Sequence, residues 1–309
     1  MHNLGRFSFR RSRFRPIAPL LARDDRRQNR VPIERVRWEP GRRSESPAQG
    51  WALGGLLPSF VIAAIPSLAV AGPPFLTDDP EPVDYRHWEI IGFAMGTMVH
   101  GDSAGALPAV EINYGGLPEV QLHLSVPIAY NSQSLTGTEF GYGDTAFAAK
   151  YRFVNPGEGD WWPELAVYPA VVAPTGNETR GLGTGATHAF LPLWMQKNFG
   201  KWTTYGGGGY WINPGPGNRG YWFFGWQLQR QITDRLMLGG ELFHQTPSIA
   251  NEPGAVGFPL GSRPSTGFNF GGSYDFTEHY HLLFSAGRGI RNVSETNQFS
   301  YYLGFQWTF

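Results

Sequence analysis

Cysteine is absent from the 309 residues, which excludes a disulfide framework, a thiolate metal site, a cysteine nucleophile and a lipoprotein anchor. Charge is sparse as well: Asp, Glu, Lys and Arg make up 16% of the chain, against roughly 25% in soluble domains. Long apolar runs are missing beyond residue 71, and the mean hydropathy is −0.29, so the chain is not a bundle of membrane-spanning helices. Glycine and aromatics are in excess. Glycine supplies 41 residues, where about 7% of a chain is usual, and Phe, Tyr and Trp reach 15%.

The formal net charge of zero is a cancellation. Residues 1–50 hold 13 Arg and no Lys against five acids (Asp24, Asp25, Glu34, Glu39, Glu45), a net +8, which leaves −8 for the remainder. The basic leader runs into an apolar stretch at 51–71, with small residues at Ala69 and Ala71 followed by Gly72-Pro73-Pro74. Positive charge, an apolar core and a small-residue exit make a secretory signal peptide cleaved after Ala71. A single anchoring helix is the alternative, weakened by Pro58 and Pro66, each of which removes a backbone donor. The leader is long for a signal peptide, which points to a start site further downstream. Arg10-Arg11 lies too far from the apolar core for a twin-arginine signal. Arginine clustering also fits nucleic-acid binding, but an export signal follows and no RNA-binding motif is present. Residues 72–85 read as an acidic, Pro-containing linker in water.

From residue 86 onward, runs of period-two alternation are separated by Gly, Asn, Asp or Pro. Val120, Leu122, Leu124, Val126, Ile128 and Tyr130 alternate with Gln121, His123, Ser125, Pro127 and Ala129. Such a strand has one apolar face and one polar or small face. Gly115-Gly116 reads as the tight turn before it. Twelve strands are expected at 87–98, 106–114, 119–130, 143–154, 163–174, 186–197, 202–212, 221–232, 235–246, 266–276, 280–289 and 298–309. An even count suits a single-chain bacterial barrel, and the connections fall into a short set (155–162, 198–201, 233–234, 277–278) and a long set (132–141, 175–185, 213–220, 247–265, 289–297). A soluble sandwich or lipocalin-like barrel is the alternative. Twelve strand faces rich in aromatics exceed what its small interior holds.

The expectation is therefore an all-β chain: one antiparallel transmembrane barrel over residues 86–309, in the outer membrane of a Gram-negative cell. Its last run, Tyr301, Leu303, Phe305, Trp307 and Phe309, resembles the C-terminal strand that the barrel-assembly machinery reads. Tyr130, Tyr151, Trp161, Trp162, Trp202, Tyr221, Trp222, Tyr280, Tyr301 and Trp307 stand near strand ends, where interfacial girdles form, although β-propensity alone also places aromatics in strands.

If the apolar face meets lipid, then Glu111, Asn113, Gln121, His123, Asp144, Lys150, Arg152, Glu164, Gln227, Gln229, Glu241, Asn269 and Asp275 face the lumen. Buried charge must be paired or hydrated, so these residues imply either a wet passage or a salt-bridged, plugged interior. Twelve strands lie between filled eight-stranded barrels and open sixteen-stranded ones.

Evidence for an enzyme is thin. His188 is the best strand-borne candidate and lacks a serine partner. His279, His281 and Glu278 lie in a turn, and Asp78, Asp79 and Glu81 suit a solvated tail better than a calcium site. No P-loop, dinucleotide fingerprint or HExxH occurs. Neither a metal nor a cofactor is expected. The reading is a passive channel for a small-molecule solute, with outer-membrane lipid as its surroundings and no nucleic-acid partner. A lipid-modifying enzyme and a structural or adhesion barrel acting through its long loops are the alternatives.

Gly141-Tyr142-Gly143-Asp144-Thr145, running on to Lys150-Tyr151-Arg152-Phe153, resembles the Gly-x-Gly-Asp … Lys-Tyr-Arg strand of the outer-membrane family named for the meta-pathway of phenol degradation. Ala173-Pro174-Thr175-Gly176 is similar to the Pro-Thr-Gly that closes the next strand of that family. Ser285-Ala286-Gly287-Arg288 and the final aromatic strand also fit. The resemblance covers about residues 86–309 through short, glycine-based motifs. It implies a barrel that admits small, often aromatic, compounds and carries no catalytic residues.

Overall fold

Alternation at period two gives a strand two unlike faces, and a sheet of such strands must either stack on another layer or close on itself. This sheet closes. The computed structural model describes residues 72–134, 136–157, 159–250 and 261–309. The basic leader, the apolar stretch with Ala69 and Ala71, and the centre of the 247–265 loop lie outside those residues.

The first seven strand segments are β1 (Trp88–Val99), β2 (Asp102–Leu117), β3 (Val120–Gln133), β4 (Gly137–Tyr142), β5 (Thr145–Val154), β6 (Glu164–Val167) and β7 (Ala170–Ala173). The remainder are β8 (His188–Phe199), β9 (Trp202–Ile212), β10 (Tyr221–Gln231), β11 (Leu236–Gln245), β12 (Ser265–Asp275), β13 (Tyr280–Arg291) and β14 (Phe299–Thr308). β4 and β5 both pair with β3, and β6 and β7 both bridge β5 to β8, so each couple is one interrupted strand. All pairings are antiparallel, and β1 pairs with both β2 and β14. The result is a closed ring of twelve strands.

Closure removes every sheet edge, which is what a membrane demands of a strand structure. The outer face is apolar: Leu122, Phe147, Leu191, Phe224, Leu242, Phe270 and Leu303 are all exposed, Leu242 to 60%. Aromatic pairs stand near both ends, with Tyr210–Trp222 and Phe299–Tyr301 at the long-loop end and others at the end that carries β1's start and β14's finish. Trp88 stacks on Tyr114, Trp161 packs on Trp162, and Trp307 on Phe309, each at 4.2–4.3 Å between ring centroids. The seam is closed there by two backbone bonds, with Trp88 N–H donating to Phe309 O at 2.7 Å and Phe309 N–H to Trp88 O at 3.0 Å.

Four details differ from the sequence reading. Gly115 and Gly116 lie inside β2, and the turn falls at Pro118-Glu119, where Glu119 has φ 64°. β2 begins at Asp102 rather than at 106, because His100 and Gly101 (φ 53° and 84°) make a two-residue hairpin, for which Gly101 suits the second position. The expected 132–141 loop is mostly strand, since β3 and β4 pair from Gln133↔Gly137 to Ile128↔Tyr142. Tyr221, read as a girdle residue, is buried at 1% exposure against Trp211.

Candidate functional site

The largest departure from expectation lies inside the barrel. Residues 72–84 are not a solvated tail. They pass through the lumen and are held by side chains from strands all round it, and Asp78 is 1% exposed. Leu76 N–H and Thr77 N–H donate to the two oxygens of Glu241, at 2.8 and 2.9 Å, and Thr77 Oγ1 donates to Glu241 Oε2 at 2.7 Å. Asn269 Nδ2 completes that carboxylate's partners at 2.6 Å. Lys150, 4% exposed, donates to Asp78 Oδ1 at 3.0 Å, Asp79 Oδ1 at 3.4 Å and Glu81 O at 3.2 Å, and lies 5.0 Å from the centre of the Tyr168 ring. Val83 N–H donates to Gln121 Oε1 at 2.9 Å, Gln196 donates to Glu81, and Ser285 donates to Pro74 O.

A buried lysine is costly unless it is paired and hydrogen-bonded. Among the described lumen charges that are 4% exposed or less, Lys150 is the one cation, against Asp78, Glu111 and Glu241. The acidic run supplies the charge it needs, and Glu241 captures backbone donors that an extended segment cannot satisfy within itself.

The other nominated side chains group by height. Glu111, Asn113 and His123 are buried together: Asn113 Nδ2 donates to Glu111 and to Glu89 at 2.8 Å, and His123 Nδ1 lies 2.8 Å from Asn113 Oδ1. Gln227, fully buried, donates to Gln229 at 3.0 Å. Towards the short-turn end Arg152 bridges Glu119 and Glu164, at 2.5 and 2.8 Å, and Asp275 pairs with His281 at 2.7 Å. The hydrogen bond from Arg152 holds the Glu119 carboxyl below the usual carboxylate range. Glu119 therefore favours the paired state above that range, and the benefit fades as pH falls through the lowered value.

Asp144 is separate from this interior network. It sits in the break between β4 and β5, accepts from Gly176 N–H (2.9 Å), Thr184 N–H (2.7 Å) and Thr184 Oγ1 (2.6 Å), and so staples the 174–187 connection. Thr175 Oγ1 donates to Gly143 O at 2.7 Å and accepts from Thr145 N–H at 2.9 Å. Gly143-Asp144 and Thr175-Gly176 are thus one lock. A Cβ on Gly176 would stand 2.3 Å from Leu182 O, so the approach requires glycine. Asp144→Ala leaves three donors without their acceptor, at about 1–3 kcal/mol each where buried. Trypsin cleavage after Arg180 is expected to speed up markedly while the barrel persists; an unchanged rate would show that the staple is dispensable.

Several contributors are not among the lumen candidates of the sequence reading: Phe75, Leu76, Thr77, Glu89, Gln196, Ser285 and Tyr302. Glu89 was legible, since it shares β1's inner parity with Ile91 and Phe93. No side-chain arrangement for acyl transfer forms around Ser125, which is fully buried beside His123 on β3 and whose Oγ has no hydrogen-bond partner. His188 is likewise buried with neither ring nitrogen bonded. Among the described residues no group of three or more His, Asp or Glu is disposed to hold a metal.

The same fold occurs in barrels of known structure. An outer membrane channel from Pseudomonas putida F1 matches with a TM-score of 0.59 at 15% identity, over 75% of this chain and 98% of that one. The KdgM porin matches with a TM-score of 0.48 at 11% identity, over 72% of this chain and 99% of that one. No family model and no curated protein matches the sequence.

Proposed function

We propose that this chain is an outer-membrane channel for small molecules, exported through a signal peptide cleaved after Ala71, in which residues 72–84 narrow the lumen. The observation that carries this reading is the pairing of an apolar outer face with a polar interior crossed by a segment that belongs to no strand of the wall. Fold likeness to the Pseudomonas putida channel supports the reading. Membership of the meta-pathway family is part of the proposal, supported by the way its two short motifs meet at Asp144 and Thr175.

Passage needs no covalent step. A solute entering from the long-loop end meets the space above Phe75 and then the segment itself, so the segment sets the rate. Lumen charge is mostly acidic: Glu89, Glu111, Glu164 and Glu241 on the wall and Asp78, Asp79 and Glu81 on the segment, against Lys150 and Arg152. Like charge in a narrow, low-dielectric passage repels anions. Conductance in a salt gradient is expected to show a reversal potential favouring cations, and liposomes carrying the full chain to swell in small neutral solutes. Absence of conductance and of swelling, both for the full chain and for a chain lacking residues 72–84, overturns the channel.

A further inference from the structure

The wall holds residues 72–84 largely by their backbone. Leu76 N–H and Thr77 N–H donate to Glu241 on β11 at 2.8 and 2.9 Å, and Val83 N–H donates to Gln121 on β3 at 2.9 Å. Lys150 on β5 donates to Glu81 O at 3.2 Å, and Ser285 on β13 donates to Pro74 O. Side chains add Thr77 Oγ1, which donates to Glu241 Oε2 at 2.7 Å, and the pairing of Asp78 with Lys150 at 3.0 Å. These wall groups have few other partners. Every hydrogen bond that Lys150 makes among the described residues goes to the segment, and three of the four that Glu241 accepts come from it. The fourth, from Asn269 Nδ2 at 2.6 Å, fixes the carboxylate.

Every residue but proline carries the same backbone donor and acceptor, so a site that takes consecutive amides is not tied to one covalent chain. We infer that the lumen is a binding site for an extended oligopeptide, and that residues 72–84 are its tethered occupant. The peptide it fits presents an apolar residue, two consecutive amide donors, a hydroxyl and then an acid, in the order of Phe75, Leu76, Thr77 and Asp78. Glu241 spans both amides and the hydroxyl, as a carboxylate with two acceptor oxygens can. Lys150 takes the acid, which is 1% exposed in the tethered copy and so is matched to the lysine and not to solvent. A peptide with a single acid brings one negative charge to one buried cation, and the acidic excess elsewhere in the lumen costs it little. The inference rests on the channel reading for the route by which a peptide enters. Tethering gives the segment an effective concentration on the order of millimolar at its own site, so a free peptide competes poorly until the tethered copy is disabled.

The test uses the full chain in lipid nanodiscs and fluorine NMR of a hexapeptide with the sequence of residues 73–78. Its ends are blocked, and 4-fluorophenylalanine stands at the position of Phe75. Thr77→Pro with Asp78→Asn in the chain strips the tethered copy of an amide, a hydroxyl and its charge, and leaves every wall residue in place. That variant is expected to bind the peptide saturably, at least tenfold tighter than the parent chain does. A peptide N-methylated at the Leu76 and Thr77 amides keeps all its side chains and loses both donors, and should bind at least tenfold more weakly. Adding Glu241→Gln to the chain variant should weaken the plain peptide by a similar factor. Heat-modifiable gel mobility reports whether each chain is folded, and the N-methyl comparison remains decisive if Glu241→Gln is not. Equal binding of the plain and N-methylated peptides overturns the assignment, since the peptide is then held by lipid or by apolar contact alone. So does the absence of a saturable shift with the folded Thr77→Pro, Asp78→Asn chain. Conductance measured on the same samples separates the two readings. Peptide binding without conductance keeps the site and removes the channel, and conductance without peptide binding does the reverse.

Discussion

Removal of residues 72–84 is expected to raise single-channel conductance several-fold and to leave the barrel folded. The ladder that closes the ring runs from β1 through β14 with no rung contributed by these thirteen residues, so their loss costs no strand pairing. What they fill is cross-section. Thr77 stands where a Cβ on Gly225 would come within 2.0 Å of its Oγ1, and Asp84 where a Cβ on Gly115 would come within 1.9 Å of its backbone oxygen. A segment packed so closely over the wall's glycines that not even a Cβ fits between leaves no room for a hydrated ion on those sides. After removal Glu241 and Lys150 are hydrated in a wider lumen, which is cheaper than leaving either buried and unpaired. Planar-bilayer recording of the shortened and full chains side by side gives the answer. Equal conductance would mean that ions pass by a route these residues do not obstruct.

The same glycines explain how much of the molecule was legible beforehand. Seven of the twelve strands follow from clear alternation, because a wall with lipid on one side and polar groups on the other must alternate, and the other five (87–98, 186–197, 202–212, 221–232 and 235–246) rest on weaker or Gly-rich runs. Inner-facing polar residues such as Glu111, Gln121 and Glu241 came with it, by parity alone. The contents of the lumen did not. Gly115-Gly116 reads as a turn on composition, whereas Gly115 sits mid-strand because residues 83–85 pass directly over it, with Tyr85 and Gly115 forming a bridge. A glycine inside a strand marks a close backbone approach as often as a bend. Gly115 and Gly225 were such marks, but the approaching chain was local in neither sequence nor period. Lys150 was the other clue. It was placed on the inner face with no acid opposite it on its neighbouring strands, while Asp78-Asp79 and Glu81 stood unassigned in a presumed linker. Composition describes an acidic Pro-rich stretch as solvated, and a tertiary ion pair overrode that prior.

That ion pair yields the second large effect. Lys150→Met is expected to release residues 72–84 from the lumen, because Asp78, 1% exposed, would remain buried with no counter-charge. Breaking a buried pair from one side costs about 3–5 kcal/mol, or roughly two to four decades in the docking equilibrium. Arg152→Met should do far less, since Arg152 and Glu119 keep 17% and 37% of their side chains in solvent and such pairs contribute about 0–1 kcal/mol. The absence of cysteine makes the measurement clean: Pro80, fully buried in the docked segment, becomes the only thiol in Pro80→Cys. Maleimide labelling of Cys-bearing chains in liposomes should run at least a hundredfold faster with Lys150→Met than without it. Adding Asp78→Asn should recover most of the protection, because the double variant removes both charges and leaves an amide in place of a stranded carboxylate. The four hydrogen bonds into Glu241 are present in every one of these variants. If Lys150→Met labels as slowly as its parent, those bonds and the packing of Leu76 hold the segment by themselves. The lysine would then be a guest of the acidic run and not its anchor.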